Sequence, residues 1–593
     1  MIALTPIIAI AERERTSMTK RIKTPETLRS HRWYGPNDMR SHSHRQRTQQ
    51  MGFRRDEFMG RPVIGILNTW SEMSPCHFHL RDRAEAVKRG VIRAGGFPVE
   101  LPAMSLGEVL VKPTTMFYRN FLAMEAEELM RQLPIDGAVL LGGCDKTTPG
   151  LIMGATSMDI PVIFCSAGPM MNSRRNGQAI GSGTHTRKFW DDYRAGNLSD
   201  ADWIEIEGIS SRSPGTCNTM GTATTMTAIA ETIGFSLPGA SSIPAADSAH
   251  PRMCSQAGER IVEMVWEDLK PSSLLSAGSF ANGVEVCAAL GGSTNAVVHL
   301  VAMARRAGIP LTIDAFDAAA RRTPVMANLY PAGRFLMEDF YFAGGLPALL
   351  SRIADRLDLT AMTVTGKTLG DNIAGAVVRD EAVICTLDKP ASSEPGLAVL
   401  YGNLCPDGAV IKPSAASPTL MTHRGRCVVF DDHAALTRGI DDETLGIDEN
   451  SVIVLRNAGP VGGPGMPEWG ALPIPKTLLA RGVRDMVRLS DARMSGTHFG
   501  TCVLHICPES RVGGPLALLQ TGDEILLDVP NRRLDMLVDE AEIARRKAAW
   551  VQPPKRFARG YGALFEQHVR QANLGADFDV LERGEPTPEP EIF

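Results

Sequence analysis

No apolar run in this chain reaches the roughly 18–20 residues needed to cross a bilayer. The one early apolar stretch, Met1 to Ile10, has no basic segment before it of the kind that opens a secretory signal. The chain is therefore expected to be cytoplasmic. Neither sign of charge dominates: 62 lysines and arginines stand against 67 aspartates and glutamates, for a net charge of −5. That balance calls for no nucleic-acid partner and no membrane surface. Paired-cysteine spacing is missing too. The 11 cysteines include no CxxC and mostly lie in apolar runs (Cys165, Cys287, Cys385, Cys427), which argues against a disulfide framework. The glycine-rich stretch 459–465 lacks the Lys-Ser/Thr ending of a phosphate loop and does not match GxGxxG after a strand. No internal repeat or low-complexity tract stands out.

What remains is an ordinary enzyme-like composition, 44% hydrophobic and 22% charged with 56 glycines and 39 prolines, in 593 residues. The length allows about four domains or two large ones. Residues 1–17 differ in texture from the rest of the chain and read as an upstream start or a disordered tail, with Met18 as the alternative start. Residues 1–60 form an arginine- and histidine-rich arm, expected to pack on a partner subunit or beside an anionic substrate. From 61 to 390 strand-like and helix-like segments alternate. Pro62 to Leu67, Phe97 to Leu101, Asp136 to Leu141 and Pro161 to Cys165 read as strands; His79 to Ala94, Tyr118 to Leu133 and a segment around Pro149 read as helices. Such alternation predicts an α/β domain with a mostly parallel sheet. From 391 to 575 short strands cut by glycine and proline predict a β-rich, barrel-like second domain. Residues 576–593 read as an extended tail.

The stretch Gly142-Gly-Cys144-Asp145-Lys146-Thr-Thr-Pro-Gly150 joins the third strand to a helix. A thiolate suits a soft metal, a carboxylate a hard one, and a lysine among cations is expected to have a depressed amine pKa. Functional groups in a parallel sheet gather at the carboxyl ends of its strands. Cys76 follows the first strand, Glu108 the second and Cys144-Asp145-Lys146 the third, so all are expected on one rim. Cys217, near the start of a helix running toward Ile233, is the natural third thiol, with the helix terminus favouring its thiolate. Pro75-Cys-His-Phe-His79 suggests zinc, but no second ligand pair lies nearby. Glu108 and Glu468 alone would be surface carboxylates, and the position of Ser495 in the sequence alone gives no reason to call it catalytic.

Cys144-Asp-Lys-Thr-Thr-Pro-Gly-Leu-Ile-Met-Gly154 and Leu489-Ser-Asp-Ala-Arg-Met-Ser-Gly-Thr497 resemble the two signatures of the dihydroxy-acid and phosphogluconate dehydratase family. The resemblance runs from about residue 30 to about 590. It implies an enzyme, a hydro-lyase that removes water from 2,3-dihydroxy acids to give 2-oxo acids. It also implies an iron–sulfur cluster and a magnesium ion. By motif, Cys76, Cys144 and Cys217 resemble the cluster ligands. Glu108, Asp145 and Glu468 resemble magnesium ligands, joined by Lys146 after carbamylation. Ser495 resembles the catalytic base and Thr497 a substrate contact. A 2Fe-2S cluster is favoured over 4Fe-4S.

Cys217-Asn-Thr-Met-Gly-Thr-Ala-Thr-Thr-Met226, His31-Arg-Trp-Tyr-Gly35 and the Pro-Glu-Pro-Glu-Ile-Phe593 end are similar to the sugar-acid branch, that of L-arabinonate and D-xylonate dehydratases. The expected substrate is thus an aldonate, a pentonate foremost, and the expected assembly a homodimer or homotetramer. The rival readings are a branched-chain dihydroxy-acid dehydratase, a 6-phosphogluconate dehydratase, a zinc hydrolase and a non-catalytic iron–sulfur sensor.

Overall fold

A computed structural model describes residues 21–582 and 587–592. The expectations for residues 1–17 and for part of the C-terminal tail lie outside the described residues. Among the described residues no helix is long and apolar enough to cross a membrane.

The first sheet has four parallel strands in the order β2-β1-β3-β4: β1 Val63–Asn68, β2 Phe97–Pro102, β3 Gly137–Gly142 and β4 Val162–Ser166. β1, β3 and β4 are buried along their whole length, which is why they read as unbroken apolar runs rather than alternating ones. Period two still decides which layer each residue joins. Val63, Leu67, Leu140, Val162 and Phe164 enter one core with helices Thr115–Gln132 and Thr147–Met158. Ile64, Ile66, Val139, Leu141 and Ile163 enter the other with helices Leu80–Arg93 and Ala249–Glu267. The helices press close. A Cβ on Gly90 or Gly258 would run into the opposite helix backbone, so glycine sets that crossing.

A hairpin, β5 Ser173–Arg175 and β6 Gln178–Ile180, precedes the helix Thr184–Arg194. The later region carries a two-stranded ladder, β7 Ala398–Leu400 with β8 Ala409–Ile411. It also holds a six-stranded sheet in the order β12-β11-β10-β9-β13-β14. These strands are β9 Thr422–Phe430, β10 Val452–Leu455, β11 Arg488–Ser490, β12 Cys502–Val503, β13 Glu524–Asp528 and β14 Arg533–Met536. β9 to β12 pair in parallel, whereas β13 and β14 are antiparallel. The sheet curls around an apolar interior that includes Cys427, Val454, Leu489, Leu527 and Leu534. The barrel expectation therefore needs refinement. Each sheet edge meets the β7–β8 ladder through one isolated bridge only, Val410 with Leu504 and Tyr401 with Arg533. This is a mixed, curled sheet rather than a barrel hydrogen-bonded all round.

The chain ends return to the first region. Phe117 packs against Phe557, Tyr561 and Phe565. Arg119 donates to the carbonyls of Gly575 and Ala576, both at 2.9 Å. Arg29 and Arg32 of the arm both meet Glu589, each at 2.8 Å.

Candidate active site

The loops that matter leave the carboxyl ends of parallel strands. Asn68 pairs with both Pro102 and Leu141, so β1, β2 and β3 end level with one another. Their following loops bring Cys76, Glu108 and Cys144-Asp145-Lys146 together, as expected of such a rim. Glu468 and Ser495 arrive the same way, on loops after β10 and β11. The Cys144 turn is fixed from below. Cys144 has φ +67°, a left-handed conformation that costs a non-glycine residue. A Cβ on Gly143 would lie 2.5 Å from that of Ala167. His77 bridges the turn, with Nδ1 2.9 Å from Ser105 Oγ and Nε2 2.8 Å from Gly143 O. His79 Nε2 lies 2.8 Å from Ala167 O. His77 is committed at both nitrogens, and among the described residues no trio of metal-ligand atoms includes Cys76 or either histidine, which leaves zinc there without support.

The Cys76 and Cys144 thiols touch, and that contact together with burial pushes the Cys76 thiol well up. Cys217 lines the same cavity, beside Ser182 and Asp145. Burial, then Asp145, pushes its thiol up to about 12. The expectation of a thiolate favoured by a helix terminus is thus corrected. The helix is Thr222–Thr232, beyond Cys217, and desolvation with nearby negative charge governs instead.

Glu108, Asp145 and Glu468 present oxygens that all lie within 4.8 Å of one another, the one such trio of His, Cys, Asp or Glu ligand atoms among the described residues. Lys146, with 0% exposure, sits among them. Its Nζ is 3.0 Å from Glu108, 3.2 Å from Asp145 and 3.1 Å from Glu468. Burial and Arg493 lower the Lys146 pKa, but the three carboxylates outweigh them and the net shift is upward. The depressed amine expected among cations is corrected by these anions. Burial, with Glu468 and Glu108 alongside, raises Asp145 to about 6 despite Lys146. Burial also acts on Glu468, yet Lys146 and Arg493 hold it down at about 2. Thr114 donates to Glu108 at 3.1 Å, and Thr115 donates to its other oxygen.

Ser495 Oγ lies 2.9 Å from Thr497 Oγ1. Gly183, at φ +72°, leaves no space for a Cβ against Thr497, and Thr184 Oγ1 donates to the Thr497 carbonyl. The turn is therefore clamped. Cys76, Cys144, Cys217, Glu108, Asp145, Glu468, Ser495 and Thr497 all line one cavity of about 1000 Å³, with Lys146 directly behind its carboxylates.

Sequence reasoning misses several neighbours. Arg493 is buried, donates to Glu468 at 3.0 Å and to Thr114 at 3.1 Å, and sits within a motif read only for Ser495 and Thr497. Asn295 donates to Glu468 at 3.2 Å, although its only sequence signal is a place at a helix start. His498 and Arg187 line the cavity with no signal beyond residue type.

Residues 61–372 match the family model described as dihydroxy-acid/6-phosphogluconate dehydratase N-terminal, and residues 382–576 match its C-terminal counterpart. The chain belongs to this dehydratase family. It is 61% identical to a 6-deoxy-6-sulfo-D-gluconate dehydratase of Pseudomonas putida, across 97% of this chain and 100% of that protein. It is 49% identical to an L-arabinonate dehydratase of Rhizobium leguminosarum bv. trifolii, across 95% and 98%. It is 37% identical to a D-xylonate dehydratase of Caulobacter vibrioides, across 93% and 95%. Family membership makes the chain a hydro-lyase, and iron–sulfur and magnesium binding are typical of the family. The residues present fit both groups. Clustered carboxylates suit a hard divalent ion, and thiols lining the same cavity suit iron.

Proposed function

We propose that this chain dehydrates a sugar acid, an aldonate, to a 2-keto-3-deoxy acid. The observation that carries this reading is one cavity holding hard-metal ligands, soft-metal ligands and Ser495 together. Relatives whose names specify sulfogluconate, L-arabinonate and D-xylonate support it.

In this reading Glu108, Asp145 and Glu468 hold magnesium. Lys146 joins them after carbamylation, which replaces an ammonium by an anionic oxygen donor that a hard cation prefers. Cys76, Cys144 and Cys217 hold the cluster. Cys76, Cys144 and Cys217 line the same cavity, and the reading favours a 2Fe-2S cluster over 4Fe-4S. When bound, magnesium would stabilise charge on the carboxylate and C2 oxygen, and the cluster would supply Lewis acidity toward the C3 hydroxyl.

The chain's own groups do the rest. Ser495 Oγ, as its alkoxide, takes the proton from C2 and becomes the neutral hydroxyl, and Thr497, 2.9 Å away, orients it. Arg493 fixes Glu468 and balances the floor's negative charge. The C2 proton and the C3 hydroxide leave together as water. The resulting enol gains a solvent proton at C3 and becomes the 2-oxo acid. The same reading places the enzyme in the cytoplasm as a homodimer or homotetramer.

The test is 2-oxo-acid formation by anaerobically purified protein on pentonates and hexonates, beside 2,3-dihydroxyisovalerate. Turnover of dihydroxyisovalerate alone would refute the sugar-acid reading.

A further inference from the structure

Arg187 has more donors than partners. It projects from the helix Thr184–Arg194, whose first turn lines the cavity. A guanidinium carries five N–H donors. Among the described residues Arg187 donates one hydrogen bond, to Leu472 O at 3.3 Å. The nearest acid, Asp191, remains 3.6 Å from Nε, and its Oδ1 makes no hydrogen bond.

His498 lines the same cavity wall as Arg187, which also borders Glu468 of the acidic floor. Its Nδ1 is buried without a hydrogen-bond partner. Apart from the floor carboxylates, the permanently charged side chains lining the cavity are all cationic: Lys112, Arg187 and Arg212. Once the floor holds its metal, the remaining wall is positive and carries donors without acceptors. The polyol tail of a plain aldonate has only hydroxyls to offer there, which leaves a partly desolvated arginine poorly met.

We propose that Arg187 and His498 form a subsite for an oxyanionic group at the end of the substrate remote from its carboxylate. The preferred substrates are then sugar acids closed by a sulfonate, a phosphate or a second carboxylate. This rests on the sugar-acid reading and narrows it. Arg187 supplies charge-assisted, fork-shaped donation to the terminal oxyanion. Neutral His498 adds one further hydrogen bond without competing for the metal floor.

Initial rates of the anaerobic holoenzyme on gluconate, L-arabinonate, 6-phosphogluconate and 6-deoxy-6-sulfogluconate test it. Wild type is expected to prefer the anion-tailed acids by about 10–100-fold in kcat/KM. Arg187→Gln is expected to remove that preference, raising KM for the anion-tailed acids by about tenfold or more relative to its effect on KM for gluconate. Arg187→Lys is expected to restore part of it. Equal or better use of gluconate or arabinonate by wild type overturns the subsite and leaves the sugar-acid reading standing. An equal loss of kcat on every acid in Arg187→Gln overturns it as well. Silence of a cluster-loaded wild type on all four acids overturns both readings. If Arg187→Gln does not fold, quenching of Trp190 and Trp203 by 6-phosphogluconate decides the matter. Half-quenching at a lower concentration than gluconate requires supports the subsite, and equal concentrations overturn it.

Discussion

Lys146 Nζ lies 3.1 Å from Glu468 Oε1 across a separation of 322 residues. This ion pair ties the loop after β3 to the loop after β10, so the floor of the cavity exists only when both regions of the chain are folded against each other. Arg493 completes it from the loop after β11.

Glu468→Gln should weaken magnesium binding and destabilise the protein at once. The change removes a buried charge shared by Lys146 and Arg493, and leaving such groups uncompensated costs about 3–5 kcal/mol. Calorimetry should show weaker Mg²⁺ uptake together with a lower Tm. Unchanged magnesium affinity would remove Glu468 from the ligand set.

Cys217→Ser should lose iron and visible absorbance, whereas Cys385→Ser, in an unrelated apolar run, should retain both. Iron analysis and the absorption spectrum decide. A Cys217→Ser protein with full iron would show that the third thiol had been misplaced.

Ser495→Ala should keep the cluster spectrum and lose turnover by about 10²–10⁴, the range of a positioned proton-transfer group. Activity within tenfold of wild type would transfer the base role elsewhere.

Legibility in the sequence followed contact range. The Cys144-Asp145-Lys146 turn is readable because its reactive groups are adjacent and the flanking apolar runs announce a strand and a helix. The rim placement of Cys76 and Glu108 follows from alternation alone. Arg493 is hidden because its role is a contact with Thr114, 379 residues away. β11 and β14 carry little signal of their own. β11 has only three residues, one of them the buried Arg488, and β14 starts on a charged turn. The curled sheet reads as a barrel because the same short strands serve either architecture, and pairing direction leaves no trace in composition. The lysine and Cys217 expectations fail for a common reason. Local sequence shows Asp145 beside Lys146, but it shows neither the burial that leads the Cys217 shift nor the convergence of Glu108 and Glu468 on Lys146 from distant loops.

Glu231 offers a pH prediction away from the cavity. Burial raises its carboxyl from the usual 4.5 to about 7, even though it accepts from the Gly239 and Ser241 amides. A raised folded-state value means that the folded chain keeps a proton the unfolded chain has released. Its stabilising contribution is therefore full below about 4.5 and is lost as pH rises through about 7. The span corresponds to at most about 3 kcal/mol. Glu231→Gln should gain stability relative to wild type across that window, read as a Tm difference that grows with pH. A difference independent of pH would contradict the shift.

The most direct test of the central claim is dehydration of a sugar acid in D₂O by anaerobic holoenzyme, followed by ¹H NMR at early times. The expected product is a 2-keto-3-deoxy acid with one deuterium at C3, since the C2 proton is taken to Ser495 and the enol is protonated from solvent. No 2-oxo acid from a cluster-loaded sample, or a product with no deuterium at C3, would contradict it.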